Sequence, residues 1–255
     1  MKILFIGDVV GKCGCDFLHR NLFKLKNKYS ADLTIVNGEN SATGNGISKE
    51  SADIIFSSGA DVITTGNHVF QKNEAFALLD ENDNILRPAN FPEGTPGKGF
   101  CIIDFGHTSI AVVNLMGTLL MESLDNPFAV IDRILNDIDT PNIFVDFHAE
   151  ATSEKKAMGF HLASRVTALI GTHTHVQTAD EAILRSHTAY LTDAGMTGAE
   201  DSVIGFEKDC ALSRIKDHIP IRFKESDSSP FICGVVIEFN ERLGKALSIE
   251  RFIFR

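Results

Sequence analysis

The sequence lacks the features that would place it in or across a membrane. No apolar run in it approaches the ~18 residues that are needed to span a bilayer. The apolar run at residues 2–7 is too short for a signal peptide, and Asp8 follows it directly. We therefore expect a cytoplasmic protein with no membrane partner.

Cysteine is scarce and shows no ligand-like spacing. The five cysteines are odd in number and none forms a C-x-x-C pair. This pattern disfavours a disulfide framework and a thiolate zinc knuckle, and a reducing compartment is the simplest inference. Cys13 and Cys15 flank Gly14 in a predicted loop. Either a reactive thiol or a small residue at a crowded turn fits there, and we favour the second.

Basic residues are fewer than acidic residues. The chain carries 24 Lys and Arg against 34 Asp and Glu, a formal net charge of −10. That balance disfavours a protein that binds nucleic acid through an extended basic surface. It does not exclude a phosphate-containing substrate, because bound divalent cations reverse the sign of the charge locally.

What the first eighty residues do contain is an alternation of strand and helix patterns. Three short apolar runs each end in Gly and a polar residue, and amphipathic stretches separate them. This alternation is typical of a parallel sheet covered by helices. The predicted strands are 2–7, 33–36 and 62–65, and the predicted helices are 18–28, 48–58 with Ser48 as N-cap, and 73–79.

A loop at residues 87–99, rich in Pro and Gly, separates these elements from a second set. We predict one α/β domain over residues 1–255, built of two packed mixed sheets with flanking helices, with residues 201–231 as a candidate small cap. The predicted strands of the second set are 100–104, 109–114, 143–148, 166–170, 189–192, 231–239 and 246–254, and the predicted helices are 127–138 and part of 154–165. Residues 40–47 and 193–198 are predicted loops and candidate pocket walls.

Two histidines follow the apolar run 166–170. His173 and His175 are separated by one residue, so extended backbone would point both side chains the same way. Neutral imidazoles on one side of a loop are ready metal ligands. One solvated and one core histidine is the alternative for this pair alone.

Other predicted strands end in similar chemistry. In parallel sheets, ligands bind outside the carboxyl ends of the strands, so the polar groups at these ends should converge. The mixture of imidazoles, carboxylates and amide oxygens fits two adjacent divalent ions and differs from a closed thiolate zinc site. The clusters are Asp8, Glu39 with Asn40, Asn67 with His68, His148, and His173 with His175.

The motifs around these residues resemble the metallophosphoesterase (calcineurin-like) superfamily, and more closely its bacterial YmdB-type branch. The shared segments are Gly7–Gly11, Gly38–Asn40, Gly66–His68, Arg87–Pro92, Asp146–Glu150, Gly171–His175 and Thr192–Gly198. The resemblance covers nearly the whole chain. It implies a four-layer αββα sandwich and a two-metal phosphodiesterase that acts on 2′,3′- or 3′,5′-cyclic nucleotides.

The resemblance also implies a role for each residue. Asp8, Asn40 and His175 would bind one ion, Asn67, His148 and His173 would bind the second, and Glu39 would bridge the two. His68 matches the proton donor, which would protonate the leaving oxygen after attack of an activated hydroxide on phosphorus. An outer role, orienting a ligand, is the alternative for His68.

Two positions depart from the wider superfamily. Val10 stands where most members have a histidine, and Glu39 stands where most have an aspartate. Both departures agree with the YmdB-type branch, and they put in doubt any transfer of metal identity from other phosphatases. Iron fits that branch, manganese suits the ligand types, and zinc or magnesium remain alternatives.

Four further polar residues have open roles. Alternation along the strand would aim Asp146 at the same side as His148, which suggests a supporting role, whereas Glu150 fits a solvated residue at a helix start. Arg165 and His161 would reach a substrate phosphate or lie on the surface.

Other functions fit the same predicted site. A phosphomonoesterase, a protein phosphatase or a nuclease would use the same ligands, although no basic track for nucleic acid is present. A metal-dependent regulatory protein that acts through partner binding is a further alternative. A homo-oligomer is compatible with the sequence.

Overall fold

The computed structural model describes residues 1–222 and 224–255. Within them the chain forms six helices and fourteen strands. The helices are α1 (Gly11–Tyr29), α2 (Lys49–Ser57), α3 (Ala75–Glu81), α4 (Pro127–Asp137), α5 (Thr152–Leu162) and α6 (Lys208–Lys216). The strands are β1 (Lys2–Ile6), β2 (Asp8–Val9), β3 (Leu33–Asn37), β4 (Val62–Thr64), β5 (Ile85–Leu86), β6 (Phe100–Asp104), β7 (Ser109–Met116), β8 (Ile143–His148), β9 (Ala168–Thr172), β10 (Ala182–Leu184), β11 (Thr188–Leu191), β12 (Met196–Ala199), β13 (Pro230–Asn240) and β14 (Lys245–Phe254).

The strands form two mixed sheets. The first has the order β2-β12-β13-β1-β3-β4-β5, with β14 paired to β13. Its β1, β3, β4 and β5 are parallel, and β13 runs antiparallel to β1. The second sheet has the order β10-β11-β9-β8-β7-β6, in which β7, β8, β9 and β11 are parallel. The alternation of strands and helices in the first eighty residues therefore predicted the parallel core of the first sheet.

The two sheets pack face to face with helices outside, as predicted. Apolar residues of β1 and β3 meet those of β7 and β8 between the sheets, where the Phe5 and Phe144 rings lie 5.1 Å apart. The outer face of the first sheet packs on α1, α2 and α3, and that of the second packs on α4 and α5. Apolar burial thus generates four layers and brings the carboxyl ends of the parallel strands to one edge of the molecule.

Helix boundaries agree with the sequence where a cap defines them. Ser48 caps α2, since its hydroxyl accepts from Ser51 N while the Ser51 hydroxyl accepts from Ser48 N, a reciprocal capping box. Helix α1 instead begins at Gly11, seven residues before the predicted start. Cys13 and Cys15 therefore lie on a helix and not in the predicted loop, because the apolar spacing of residues 18–28 marks only the buried middle of α1.

Four short strands were not predicted, among them the two-residue β2 just after the predicted strand 2–7. The predicted loop 193–198 contains the start of β12, which pairs with β2 and β13. Strands β5 and β10 are two and three residues long and carry too little pattern to be recognised. Strand β9 is shifted by two residues relative to the predicted 166–170 and ends at Thr172.

The Pro- and Gly-rich segment 87–99 is an ordered loop held by two side chains. The Arg87 guanidinium donates to the carbonyls of Pro88, Thr95 and Pro96. The buried Asn90 amide donates to Met116 O and accepts from Met116 N, both at 2.9 Å. The Arg87–Pro92 motif therefore orders a loop.

The segment 201–231 contains α6 and two short backbone bridges, and its residue 223 lies outside the described residues. Its role as a cap and the single-domain organisation stay predictions. No helix within residues 1–222 and 224–255 is long and apolar enough to cross a membrane.

Candidate metal centre

Each predicted site residue lies at or just beyond the carboxyl end of a strand. Asp8 opens β2 directly after β1, and Glu39 with Asn40 follows β3. Asn67 with His68 follows β4. His148 ends β8, and the His173–His175 loop follows β9. Because the two sheets are packed with these ends at one edge, all eight side chains meet there.

The first group of side chains surrounds Asp8. The Oδ1 atom of Asp8 lies 3.8 Å from His175 Nε2 and 3.8 Å from His148 Nδ1. His175 Nε2 also lies 3.2 Å from the Asn40 amide nitrogen. Asp8, Asn40 and His175 are thus neighbours, although they are separated by up to 167 residues of chain.

The second group surrounds His148. Its Nε2 atom lies 3.1 Å from Asn67 Oδ1 and 3.0 Å from His173 Nδ1. Separations of about 3 Å are typical of neighbouring ligands around one ion, since metal–ligand bonds are about 2.0–2.2 Å long. Glu39 lies beside the second group, with its Oε1 atom 4.0 Å from His148 Nε2, and the same atom is 3.3 Å from His68 Nδ1.

Two buried carboxylate oxygens lack partners in the described part of the chain. Asp8 Oδ1 and Glu39 Oε2 are buried, and neither has a hydrogen-bond partner. Burial raises the pKa of Asp8 well above its usual range, and the nearby Asp193 carboxylate raises it further; burial also raises the pKa of Glu39. Buried acids of this kind call for compensating positive charge, so they fit a site that holds cations.

Burial favours the neutral form of three imidazoles, which is the form that metal ligation requires. Burial lowers the pKa of His148 well below its usual range and lowers that of His175 to about 4. Burial also lowers the pKa of His173. Counting only His, Cys, Asp and Glu, residues 1–222 and 224–255 contain no group of three positioned to hold a metal. A fit to cations therefore needs the amide oxygens of Asn40 and Asn67.

A buried hydroxyl and a buried carboxylate support His148 from behind. His148 Nδ1 lies 2.9 Å from Thr172 Oγ1, and that hydroxyl donates to Asp146 Oδ1 at 2.7 Å. Asp146 Oδ2 accepts from Asn37 Nδ2 and from the Thr64 hydroxyl. Asp146 therefore has the supporting position that alternation predicted, and Thr172 is a supporting residue that sequence reasoning missed.

The His173–His175 loop does not have the extended backbone from which its geometry was predicted. His173 and His175 have φ values of 101° and 65°, in the left-handed region that non-glycine residues rarely occupy. The alternation argument was therefore wrong, although both imidazoles do face the site. Their directions are set by the loop and not by strand pleating.

Asp193 holds that loop in place. Its carboxylate accepts from Thr174 N at 3.0 Å and from the buried Lys155 ammonium at 2.7 Å. Lys155 also donates to Thr172 O at 2.7 Å. The Thr192–Gly198 motif thus contributes a buried ion pair that fixes the backbone between the two histidines, a role that residue type alone did not reveal.

Gly66 is required by the close approach of His148. A Cβ atom at position 66 would lie 2.2 Å from the His148 ring, which is too close for any side chain to be accommodated. The glycine therefore lets β4 pass beside the imidazole and brings Asn67 to it.

His68 differs from the other histidines of the site in its exposure. Its side chain is 32 % exposed, so it reaches solvent at the edge of the buried cluster. Its Nδ1 atom contacts Asn40 Oδ1 at 3.2 Å, and its backbone N–H donates to Glu39. Its imidazole also contacts the Glu39 carboxylate, with Nδ1 3.3 Å from Oε1, and this side-chain hydrogen bond raises the pKa of His68.

The structure also places the remaining residues whose roles the sequence left open. Glu150 is half exposed and lies 3.1 Å from His173 Nε2, so it can orient that imidazole. His161 and Arg165 both contact Asp132, at 2.9 and 2.7 Å, in a surface cluster between α5 and α4. Burial raises the pKa of the Cys13 thiol, which opposes thiolate reactivity.

Comparison with protein families gives a match over almost the entire chain. Residues 4–252 match the sequence model of a family described as YmdB-like protein. A Bacillus subtilis (strain 168) protein named 2′,3′-cyclic-nucleotide 2′-phosphodiesterase is 46 % identical over 255 residues, which cover 99 % of this chain and 97 % of that protein.

Solved structures share the fold. A hypothetical protein from Thermus thermophilus superposes with a TM-score of 0.94 at 38 % identity, covering 100 % of this chain and 99 % of that one. A structure described as a novel phosphatase from Mycoplasma pneumoniae gives 0.94 at 35 % identity, with 100 % and 93 % coverage. The NAD nucleotidase of Haemophilus influenzae gives 0.58 at 15 % identity, with 100 % and 56 % coverage, a likeness of fold alone.

Proposed function

The chain belongs to the YmdB-like family, and on that premise we propose that it is a metal-dependent phosphodiesterase that hydrolyses 2′,3′-cyclic nucleotides, 3′,5′-cyclic nucleotides, or both. The observation that carries the proposal is the convergence of carboxylate, amide and imidazole groups around two buried, unpartnered carboxylate oxygens. The name of the Bacillus subtilis relative supports the substrate class.

We assign the cation ligands as two groups joined by one bridge. Asp8, Asn40 and His175 would hold one ion, Asn67, His148 and His173 the other, and Glu39 would lie between them. Divalent cations bound there would supply an activated water and compensate the negative charge of the phosphoryl group. The nitrogen and oxygen donors suit iron or manganese better than a thiolate-seeking metal.

The protein's own groups then orient the substrate and move a proton. His68 stands at the exposed edge of the cluster, with Nδ1 bonded to Asn40, so Nε2 is the atom that would protonate the leaving oxygen. The buried Asp146–Thr172 pair keeps His148 in one orientation, and the Asp193–Lys155 pair keeps the His173–His175 loop in place. Such preorganisation lets the site act without rearranging during the reaction.

A substrate panel combined with metal analysis tests the proposal. The purified protein, reconstituted separately with Fe²⁺ and Mn²⁺, is assayed on bis-p-nitrophenyl phosphate, p-nitrophenyl phosphate, and 2′,3′- and 3′,5′-cyclic nucleotides. We expect two bound ions per chain and hydrolysis of the diesters. Hydrolysis of the monoester alone would overturn the diesterase assignment in favour of a phosphatase.

A Glu39→Gln variant separates catalysis from a regulatory role. Loss of the bridging carboxylate should abolish turnover while the fold persists. If cells that carry this variant keep the wild-type phenotype, the cellular role lies in partner binding and not in hydrolysis.

A further inference from the structure

Two short backbone segments lie side by side next to the candidate metal centre. They are residues 202–207 and 224–226, paired by backbone hydrogen bonds of 2.8 and 2.9 Å, and we call them the strap. The strap contains none of the proposed cation ligands. It reaches the site through one atom, the carbonyl oxygen of Ile204, which lies 3.0 Å from His175 Nδ1.

The Ile204 carbonyl fixes the tautomer of His175. A carbonyl oxygen can only accept a hydrogen bond, so His175 donates from Nδ1–H and its Nε2 atom keeps a lone pair. That Nε2 atom lies 3.8 Å from Asp8 Oδ1 and 3.2 Å from the Asn40 amide nitrogen. The strap therefore directs the nitrogen that can bind a cation towards the other members of the first group.

Ile204 is held in a strained conformation at this contact. Its φ value of 49° lies in the left-handed region, which β-branched residues rarely occupy. Its side chain is 45 % exposed, so burial of apolar surface does not account for the conformation. Gly205 N donates to Ser202 Oγ at 2.8 Å within the same turn. Because strained residues persist only where surrounding contacts hold them, the strap must also be fastened outside this turn.

The Glu225 carboxylate fastens the strap to two neighbouring segments. Its Oε2 atom accepts from Lys12 N at 3.3 Å, in the first turn of α1, and its Oε1 atom accepts from Gly44 N at 3.0 Å. Val10, the N-cap residue of α1, makes no side-chain hydrogen bond, and the first turn contains no acidic residue. Glu225 therefore supplies from the strap the negative charge that stabilises a helix N-terminus.

The two segments that Glu225 contacts carry the other members of the first group. Asp8 lies three residues before the start of α1, and Asn40 directly precedes the loop 41–47 that contains the second contact. Gly11 N donates to Asn40 O at 2.8 Å, so these two segments also contact each other. Glu225 thus connects all three segments that position the first group.

The second group has its own supports, which are the Thr172 hydroxyl and the Asp193 carboxylate. The two groups are therefore held by different parts of the fold. Building on the proposed function, we propose that Glu225 is a positioning residue for the first group, since it fastens the strap whose Ile204 carbonyl orients His175. Its loss should weaken binding of one cation and leave binding of the other unchanged.

A titration with Zn²⁺, followed by NMR of ¹⁵N-labelled histidine side chains, tests this proposal. Zn²⁺ is diamagnetic, so each imidazole reports binding through its own signal. In Glu225→Ala, the free Zn²⁺ concentration at which His175 responds should rise about tenfold, whereas that for His148 should match the wild type. Glu225→Gln keeps one acceptor oxygen and should give an intermediate rise. Asp201→Asn, which removes a 72 % exposed carboxylate beside the strap, is the matched control and should change neither value.

Equal rises for His175 and His148, or no rise for either, would overturn the proposal. A second measurement uses the metal-free protein at neutral pH. The wild type should show His175 protonated at Nδ1, and Glu225→Ala should show a mixture of both tautomers; an unchanged tautomer would also overturn the proposal. If Zn²⁺ shifts no site histidine in the wild type, the proposed function fails, and the tautomer still decides whether Glu225 orients His175.

Discussion

At the residue scale, the single proton of the Thr172 hydroxyl fixes the tautomer of His148. That proton goes to the Asp146 carboxylate at 2.7 Å, so the hydroxyl oxygen accepts from His148 Nδ1–H at 2.9 Å. The Nε2 lone pair is then left facing Asn67 and His173. A buried carboxylate and a hydroxyl thus hold an imidazole in the form that binds a cation.

Thr172→Val should weaken cation binding, because it keeps the shape of the side chain but removes the hydroxyl that orients His148. We expect the metal dissociation constant to rise about 10- to 100-fold. Competition against a chromophoric chelator measures it, and Thr172→Ser should restore affinity. Unaltered affinity in a folded Thr172→Val protein would contradict this role.

His68→Ala should separate proton donation from cation binding. His68 lies at the exposed edge and is not among the proposed ligands, so the variant should keep its metal content. Turnover of a diester with a poor leaving group should fall about 10²- to 10⁴-fold. A nitrophenolate leaving group needs less protonation, so bis-p-nitrophenyl phosphate should lose less activity. Equal losses on both substrates would instead indicate the outer, orienting role.

At the element scale, Asp180 joins α5 to the loop that follows β11. Its carboxylate accepts from the Lys156 ammonium, from Thr192 Oγ1 at 2.6 Å and from Thr192 N at 3.2 Å. Burial alone would raise the pKa of Asp180, but the hydrogen bonds from Lys156 and Thr192 outweigh it and lower that pKa to about 2. The ionised form is therefore the one that holds these elements together.

Asp180→Asn should lower the stability of the protein at neutral pH. Losing one charge-assisted contact should lower the Tm by about 2–4 °C. The folded pKa lies below the ordinary value of 3.8, so this stabilisation is present above that pH and is lost as the pH falls towards about 2. The Tm difference between wild type and variant should shrink over the same range. Asp53→Asn, at an exposed pair on α2, should show neither effect.

At the scale of the whole molecule, acidic groups are concentrated at one edge of the two sheets. Asp8, Glu39, Asp146 and Asp193 are all buried there, whereas the described contacts give this edge a single buried ammonium, that of Lys155. Mutual repulsion among these groups contributes to the raised pKa of Asp8. Bound cations would remove that repulsion, so occupancy and folding stability should be coupled.

Cations should therefore raise the Tm of the metal-free protein. At a free metal concentration of about one hundred times the dissociation constant, stabilisation is about 2.7 kcal/mol, or ~5–10 °C for a domain of this size. Differential scanning calorimetry before and after chelation measures the shift. Glu39→Gln should reduce it, because the variant lacks the bridging carboxylate. A Tm that does not respond to cations would contradict the assignment of this edge as a metal centre.

The sequence by itself determined which residues lie at the strand ends and which chemistry they carry. Apolar runs that end in Gly and a polar residue specify buried strands opening into loops, so Asp8, Glu39, Asn67 and His148 were recognised from local pattern. The capping box at Ser48 was likewise local, since its partners are three residues apart.

Only the tertiary structure decided what orients those residues and what surrounds them. The Thr172–His148 contact and the Lys155–Asp193 ion pair join positions that are distant in the chain, and a pattern of neighbours does not encode such pairings. The left-handed backbone at His173 and His175 is accompanied by contacts of this loop with Asp193 and Ile204, which lie outside the strand that the local pattern described. Local periodicity in the sequence specifies the helices and strands. The packing of the two sheets and the burial of charged side chains specify the arrangement of the candidate metal centre.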